Sequence, residues 1–199
     1  MKFILQRTTF LKSDHIRVCA KKTTFAAPRT NIRSQSAGRR RPITDNRQPT
    51  SSNVGRKNKL RKFAEVLSFP NVYECHDVQQ PALVGAGKQP VELRGRWKEQ
   101  HFHNEYPITL ELACGGGEYT VALARQFPER NFIGVDIKGN RIWKGAKQAL
   151  QEQLPNAAFL RTRIEIIDRF FEPGEVDEIW ITFPDPFPRA SKENRRLTS

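Results

Sequence analysis

This chain is short of the residues that would place it outside a cell or in a membrane. Its three cysteines, Cys19, Cys75 and Cys114, are too few and too scattered in 199 residues for a disulfide scaffold. They form no metal or redox spacing and suit a reducing compartment, which points to the cytoplasm. No apolar run approaches the ~18 residues of a membrane-spanning helix, so no membrane segment is expected. Histidine is scarce too, with four in all. The pair His101-x-His103 has no evident third ligand, and reads as a surface loop rather than a metal site.

Acidic residues are nearly missing from the first quarter of the chain. Residues 1–53 hold 12 Lys and Arg against 2 Asp and Glu, while the remainder holds 22 against 19. Most of the net charge of +13 therefore belongs to this tail. It lacks aliphatic periodicity, is rich in Ser, Thr and Arg, and includes Arg39-Arg-Arg-Pro42, a composition expected to be disordered in isolation. Three readings stay open. The tail is a basic arm for RNA phosphates, an organellar transit peptide, or a segment outside the working protein. The third is favoured, because valine, as at Val54, can mark an alternative start codon. With 37% apolar residues overall, residues 54–199 are expected to form one packed domain.

What is present is most informative at Leu110-Glu-Leu-Ala-Cys-Gly-Gly-Gly-Glu118, followed by Phe132-Ile-Gly-Val-Asp136. The order is strand, glycine turn, helix start, and a second strand ending in an acid. Asp136 lies 19 residues past Gly117, near the ~20-residue spacing at which such an acid reaches ribose hydroxyls in a Rossmann-like sheet. A dinucleotide fingerprint would want a further glycine where Thr120 stands, to seat a pyrophosphate. A nucleoside cofactor without a pyrophosphate fits better, and S-adenosylmethionine is the candidate. Gly115 and Gly117 are its backbone contacts, Glu111 and Asp136 its acids. Glu111 also reads as a buried charge paired locally at a strand end, since a buried acid needs a partner.

A second constellation is Ile179-Trp-Ile-Thr-Phe-Pro-Asp-Pro-Phe-Pro188. An apolar strand leads to Asp185, fixed on both sides by Pro184 and Pro186, which restrict the backbone. Such a loop belongs at the carboxyl end of a parallel strand, where open α/β sheets bind ligands. Pro-Asp-Pro also makes an ordinary turn.

With both constellations in view, the chain resembles the bacterial tRNA (guanine-N7-)-methyltransferase family. The resemblance runs from Gly55-Arg-Lys-Asn-Lys-Leu-Arg-Lys-Phe63 to Arg195-Arg-Leu-Thr-Ser199, about three quarters of the chain. It is most specific at Phe132-Ile-Gly-Val-Asp-Ile-Lys138, Arg141-Ile-Trp-Lys-Gly-Ala-Lys147 and Phe183-Pro-Asp-Pro186. It implies methyl transfer from S-adenosylmethionine to N-7 of a guanine in tRNA, by a monomer or homodimer without metal. Glu111 and Asp136 match acidic cofactor positions, and Asp185 matches the acid of the Pro-Asp-Pro loop, both catalytic and cofactor-facing. Arg189 stands where many members hold the tRNA with a lysine. Departures are visible. Ala113 replaces a glycine of the turn, so its backbone is expected to avoid positive φ. Arg163 occupies the place of an acid or amide near the adenine, leaving Glu165 or backbone groups to meet that ring. Phe187 replaces a tryptophan.

Periodicity predicts strands at 108–113, 131–136, 157–160 and 177–183, and helices at about 117–128, 139–154 and 164–171. They build a Rossmann-like class I methyltransferase sheet, α/β with helices on both faces, in strand order 3-2-1-4. Residues 69–106, punctuated by prolines, read as an extended entry. The cluster Arg56, Lys57, Lys59, Arg61 and Lys62 reads as a basic helix, facing either tRNA phosphates or solvent. Relative to the family the C-terminal strands are missing, so the strand ending at Phe183 is expected to have an uncovered edge.

Overall fold

Alternating side chains give the central strands two unlike faces, and each face selects its own cover. Strand β5 (Ile108–Leu112) turns Ile108, Leu110 and Leu112 one way and Thr109 and Glu111 the other, all buried. Around it lie β6 (Asn131–Asp136), β7 (Ala157–Arg161) and β8 (Glu178–Thr182), joined by parallel pairing in the predicted order. This computed structural model describes residues 16–19, 51–182 and 191, with side chains from residue 58 onward.

Four further strands complete an eight-stranded sheet. They are β1 (Ile16–Cys19), β2 (Val72–Glu74), β3 (Leu83–Val84) and β4 (Pro90–Val91), and the full order is β1-β8-β5-β6-β7-β2-β3-β4. Strand β2 adds in parallel to β7, and β3 and β4 follow antiparallel. Residues 69–106 are thus not merely an extended entry; they widen the sheet. A second correction concerns the edge of β8, which is covered by β1 in parallel register from Ile16↔Ile179 to Cys19↔Thr182. Within residues 1–53, Ile16–Cys19 thus pair along β8, and residues 51–53 begin the first helix. The rest of that tail lies outside the described residues.

Three helices cover one face: α1 (Ser51–Val66), α2 (Glu118–Gln126) and α3 (Gly139–Gln151). On α3, Ile142, Ala146 and Ala149 recur at helical spacing and are buried with Val66, Val121 and Phe159. Trp143 fastens α1 by donating from Nε1 to Glu65 at 2.9 Å, while Lys62 and Lys147 lie over its ring at 4.6 and 4.9 Å. The opposite face is closed by a π-helical turn, Trp97–Phe102, and a 3-10 stretch, Ile164–Phe170. Trp97 is fully buried, stacks on Phe171 at 5.2 Å and donates to the Phe170 carbonyl at 2.8 Å. The His101-x-His103 segment is not a simple surface loop. His101 bonds the Tyr73 hydroxyl at 2.7 Å, and burial pushes its pKa down to about 4.

Candidate functional site

Parallel pairing brings the carboxyl ends of β5, β6, β7, β8 and β2 to one edge of the sheet. Loops leaving that edge form the crevice where open α/β sheets hold ligands. The turn after β5 carries three positive φ values: 59° at Ala113, 60° at Gly115 and 73° at Gly117. Ala113 does not avoid the left-handed region, contrary to expectation; the turn imposes it despite the methyl group. The glycines do different work. A Cβ on Gly117 would meet the Phe159 ring at 2.5 Å and the Gly145 backbone at 3.3 Å, so this glycine lets α3 approach. A Cβ on Gly115 would meet nothing within 4 Å among the described residues. Among the described residues, open space begins there.

Asp136 ends β6 beside that space. Its Oδ2 accepts from the Gly115 amide at 3.1 Å and its Oδ1 from the Lys138 amide at 2.7 Å. Each oxygen keeps a second lone pair, so the carboxylate fixes the turn and can still accept hydroxyl groups.

Glu111 is placed differently. It is 4% exposed, and Oε2 accepts from both the amide and the hydroxyl of Thr120, the amide at 2.9 Å. Oε1 accepts from the Thr182 hydroxyl at 2.9 Å. Burial raises its pKa, and the two threonines oppose that rise. These contacts are the local pairing that a buried acid needs. Cys114, on the same turn, is a buried free thiol whose pKa burial raises well above the ordinary value.

Two further features border the crevice. Ile137, directly after Asp136, is 55% exposed and offers an apolar surface. Arg161, at the end of β7, pairs with buried Glu74 at 3.0 Å and lies over the Phe63 ring at 5.2 Å. Arg163 and Glu165 pair with each other at 3.5 Å on the exposed side of the loop. Lys59, Arg61, Lys138 and Arg141 are exposed on α1 and at the start of α3. Asp185, Phe187 and Arg189 lie outside the described residues. Among the described residues no group of three or more His, Cys, Asp or Glu is placed to hold a metal, and no helix is long and apolar enough to cross a membrane.

Residues 105–199 match a family model described as "Putative methyltransferase". That span includes the glycine turn, Asp136 and the Pro-Asp-Pro loop. The tRNA (guanine-N(7)-)-methyltransferase of Bacteroides thetaiotaomicron is 52% identical over 143 residues, 72% of this chain and 54% of its own length. The protein of the same name from Porphyromonas gingivalis is 56% identical over 132 residues, 66% of this chain and 51% of its own. The chain belongs to the tRNA (guanine-N(7)-)-methyltransferase family. The corresponding protein of Christiangramia forsetii, 52% identical over 146 residues, is covered to 62% of its length. The chain thus spans about half to three fifths of the curated relatives it matches.

Proposed function

We propose that the chain binds S-adenosylmethionine at the crevice after β5 and β6 and transfers its methyl group to N-7 of a guanine in tRNA, in the cytoplasm. One observation carries the cofactor half. Asp136, 7% exposed, is anchored to the glycine turn through Gly115, and among the described residues one lone pair on each oxygen is unmet. That arrangement fits a ribose diol, and the exposed Ile137 beside it fits an adenine face. S-adenosylmethionine supplies an activated methyl group on a sulfonium centre.

The chain's own residues then have a modest task. Guanine N-7 carries a lone pair and no proton, so transfer needs no general base. What accelerates it is orientation of the two reactants and a fixed negative group near the purine as it gains positive charge. Asp185 is the residue assigned to that role. Glu111 is assigned with Asp136 to holding the cofactor, and the cations of α1 and early α3 suit tRNA phosphates, as does Arg189. The family name of the relatives supports the substrate; the half-length match makes the activity a proposal.

The test has two readings. Asp136→Ala should weaken S-adenosylmethionine binding by about 1.5–3 kcal/mol, the worth of hydrogen bonds to a charged group, as measured by calorimetry. Nucleoside analysis of tRNA incubated with the chain and cofactor should reveal 7-methylguanosine. Unchanged affinity would remove Asp136 from the site. Cofactor binding without any methylated nucleoside would leave this chain a binding module.

A further inference from the structure

The end of β7 places one side chain between the cofactor crevice and the basic helix. Arg161 is the register partner of Asp136 on one side and of Glu74 on the other. Its guanidinium makes three different contacts. Nη1 donates to Glu74 Oε1 at 3.0 Å, Nε donates to the Ile137 carbonyl at 3.4 Å, and the group lies over the Phe63 ring of α1 at 5.2 Å. The ion pair is sheltered, with the Glu74 side chain 4% and that of Arg161 24% exposed. Glu74 keeps its other oxygen on His76 at 3.0 Å, so a fixed, buried acid holds the arginine in place.

A second, independent observation concerns Gly139, the first residue of α3. A Cβ there would stand 3.0 Å from Arg161 Cδ, 3.1 Å from its Nε and 3.3 Å from the Phe63 ring. The bare start of α3 leaves the room in which arginine and ring meet. Phe63 belongs to the helix that carries Lys59 and Arg61, and Lys59 Nζ lies 6.0 Å from the same ring. One chain of contacts therefore runs from the cations of α1 through Phe63 and Arg161 to the Ile137 carbonyl, next to Asp136.

We infer that Arg161 is a positioning residue that couples the two binding steps. RNA held on α1 strengthens cofactor binding, and the cofactor strengthens RNA binding by the same factor. The inference rests on the proposed function above for the identity of both ligands. RNA phosphates on Lys59 and Arg61 fix α1. Phe63 then holds the guanidinium against the Ile137 carbonyl, and the loop carrying Asp136 and Ile137 is ordered once for both ligands. Attraction between RNA and the sulfonium charge would also couple them. The probe is therefore S-adenosylhomocysteine, the demethylated product, which is neutral at sulfur and cannot react.

Arg161→Lys keeps a cation for buried Glu74 and loses the planar group that spans Ile137 and Phe63. Phe63→Leu removes the ring, and Phe63→Tyr restores an aromatic face. Calorimetry on the full chain, with and without an unmodified tRNA transcript, should show RNA raising probe affinity about fivefold or more in the parent. That ratio should fall below about twofold in Arg161→Lys and Phe63→Leu, and return in Phe63→Tyr. A ratio of one in the parent overturns the inference, and so does a parent that binds no tRNA. A ratio left intact by Arg161→Lys overturns it even where both affinities drop, because that is the result a merely structural contact gives. A parent that binds tRNA but not the probe defeats the cofactor reading alone. Amide hydrogen exchange then decides the coupling. Bound tRNA should slow exchange of the Lys138 amide, which donates to Asp136, at least threefold in the parent and not in Arg161→Lys. No slowing in the parent, or equal slowing in both, overturns the coupling. Should Arg161→Lys not fold, Phe63→Leu and Phe63→Tyr carry the same comparison.

Discussion

Ala113 illustrates how much a single backbone angle is worth. An L-residue in the left-handed region costs roughly 1–2 kcal/mol relative to its favoured conformations, and Ala113 sits there at φ 59° while exposed. Ala113→Gly removes that strain and loses no packing. The glycine adds unfolded-state entropy worth about 0.4–1 kcal/mol against folding. Strain relief wins, and the variant should be more stable by ~0.5–1 kcal/mol in urea unfolding; a less stable variant would mean the angle is not strained. Asp136 was legible from spacing, because strand, turn and acid are close in sequence. Glu111 was legible as an important acid, but its partners were not. One of its partners is 71 residues away, and nothing in a linear pattern says which hydroxyl will point at it. The angle at Ala113 was misread because side-chain preference was weighed without the turn that overrides it.

At the scale of elements, Gly145 sets two effects against each other. Helix propensity favours alanine over glycine within a helix by about 1 kcal/mol. Yet a Cβ at 145 would stand 2.7 Å from the Gly116 carbonyl oxygen, 2.9 Å from the Phe159 ring and 3.0 Å from the Gly117 backbone. Two of the three obstacles are main chain and cannot rotate away. Overpacking of this kind typically costs 1–3 kcal/mol, so Gly145→Ala should lower stability by ~1–2 kcal/mol net and weaken cofactor binding by displacing the turn. A rise in melting temperature would show that the gap tolerates a methyl group. This contact also explains a small residue within Arg141-Ile-Trp-Lys-Gly-Ala-Lys147. The helices and strands from β5 onward were readable because each is long enough to display its period. Strands β2, β3 and β4 have three, two and two residues, too few for alternation to emerge between prolines, and their pairing is decided by the exposed edge of β7.

For the molecule as a whole, the question is what keeps β8 from joining other chains. Its outer edge would present unpaired amides and carbonyls beside Ile179 and Ile181, a template for association. Strand β1 occupies that edge, so part of the basic tail belongs to the fold. Its net worth in stability is small. Ordering four residues costs on the order of 1–2 kcal/mol each, and the gain from the backbone ladder offsets little more than this. Its effect on association is larger, because an edge either has a neighbour or does not. Deleting the tail would change charge as well as structure, which confuses the comparison. Replacing both Arg17 and Val18 by proline is cleaner, since one of the two directs its amide toward β8 and proline has none to give. The double variant should lose only a few degrees of melting temperature, yet sediment as a growing fraction of dimers and larger species with concentration while the parent does not. Raising the salt should not reverse this, because backbone pairing and apolar contact drive it rather than charge. If the variant sediments as the parent does across the same range, β1 is not what protects the edge.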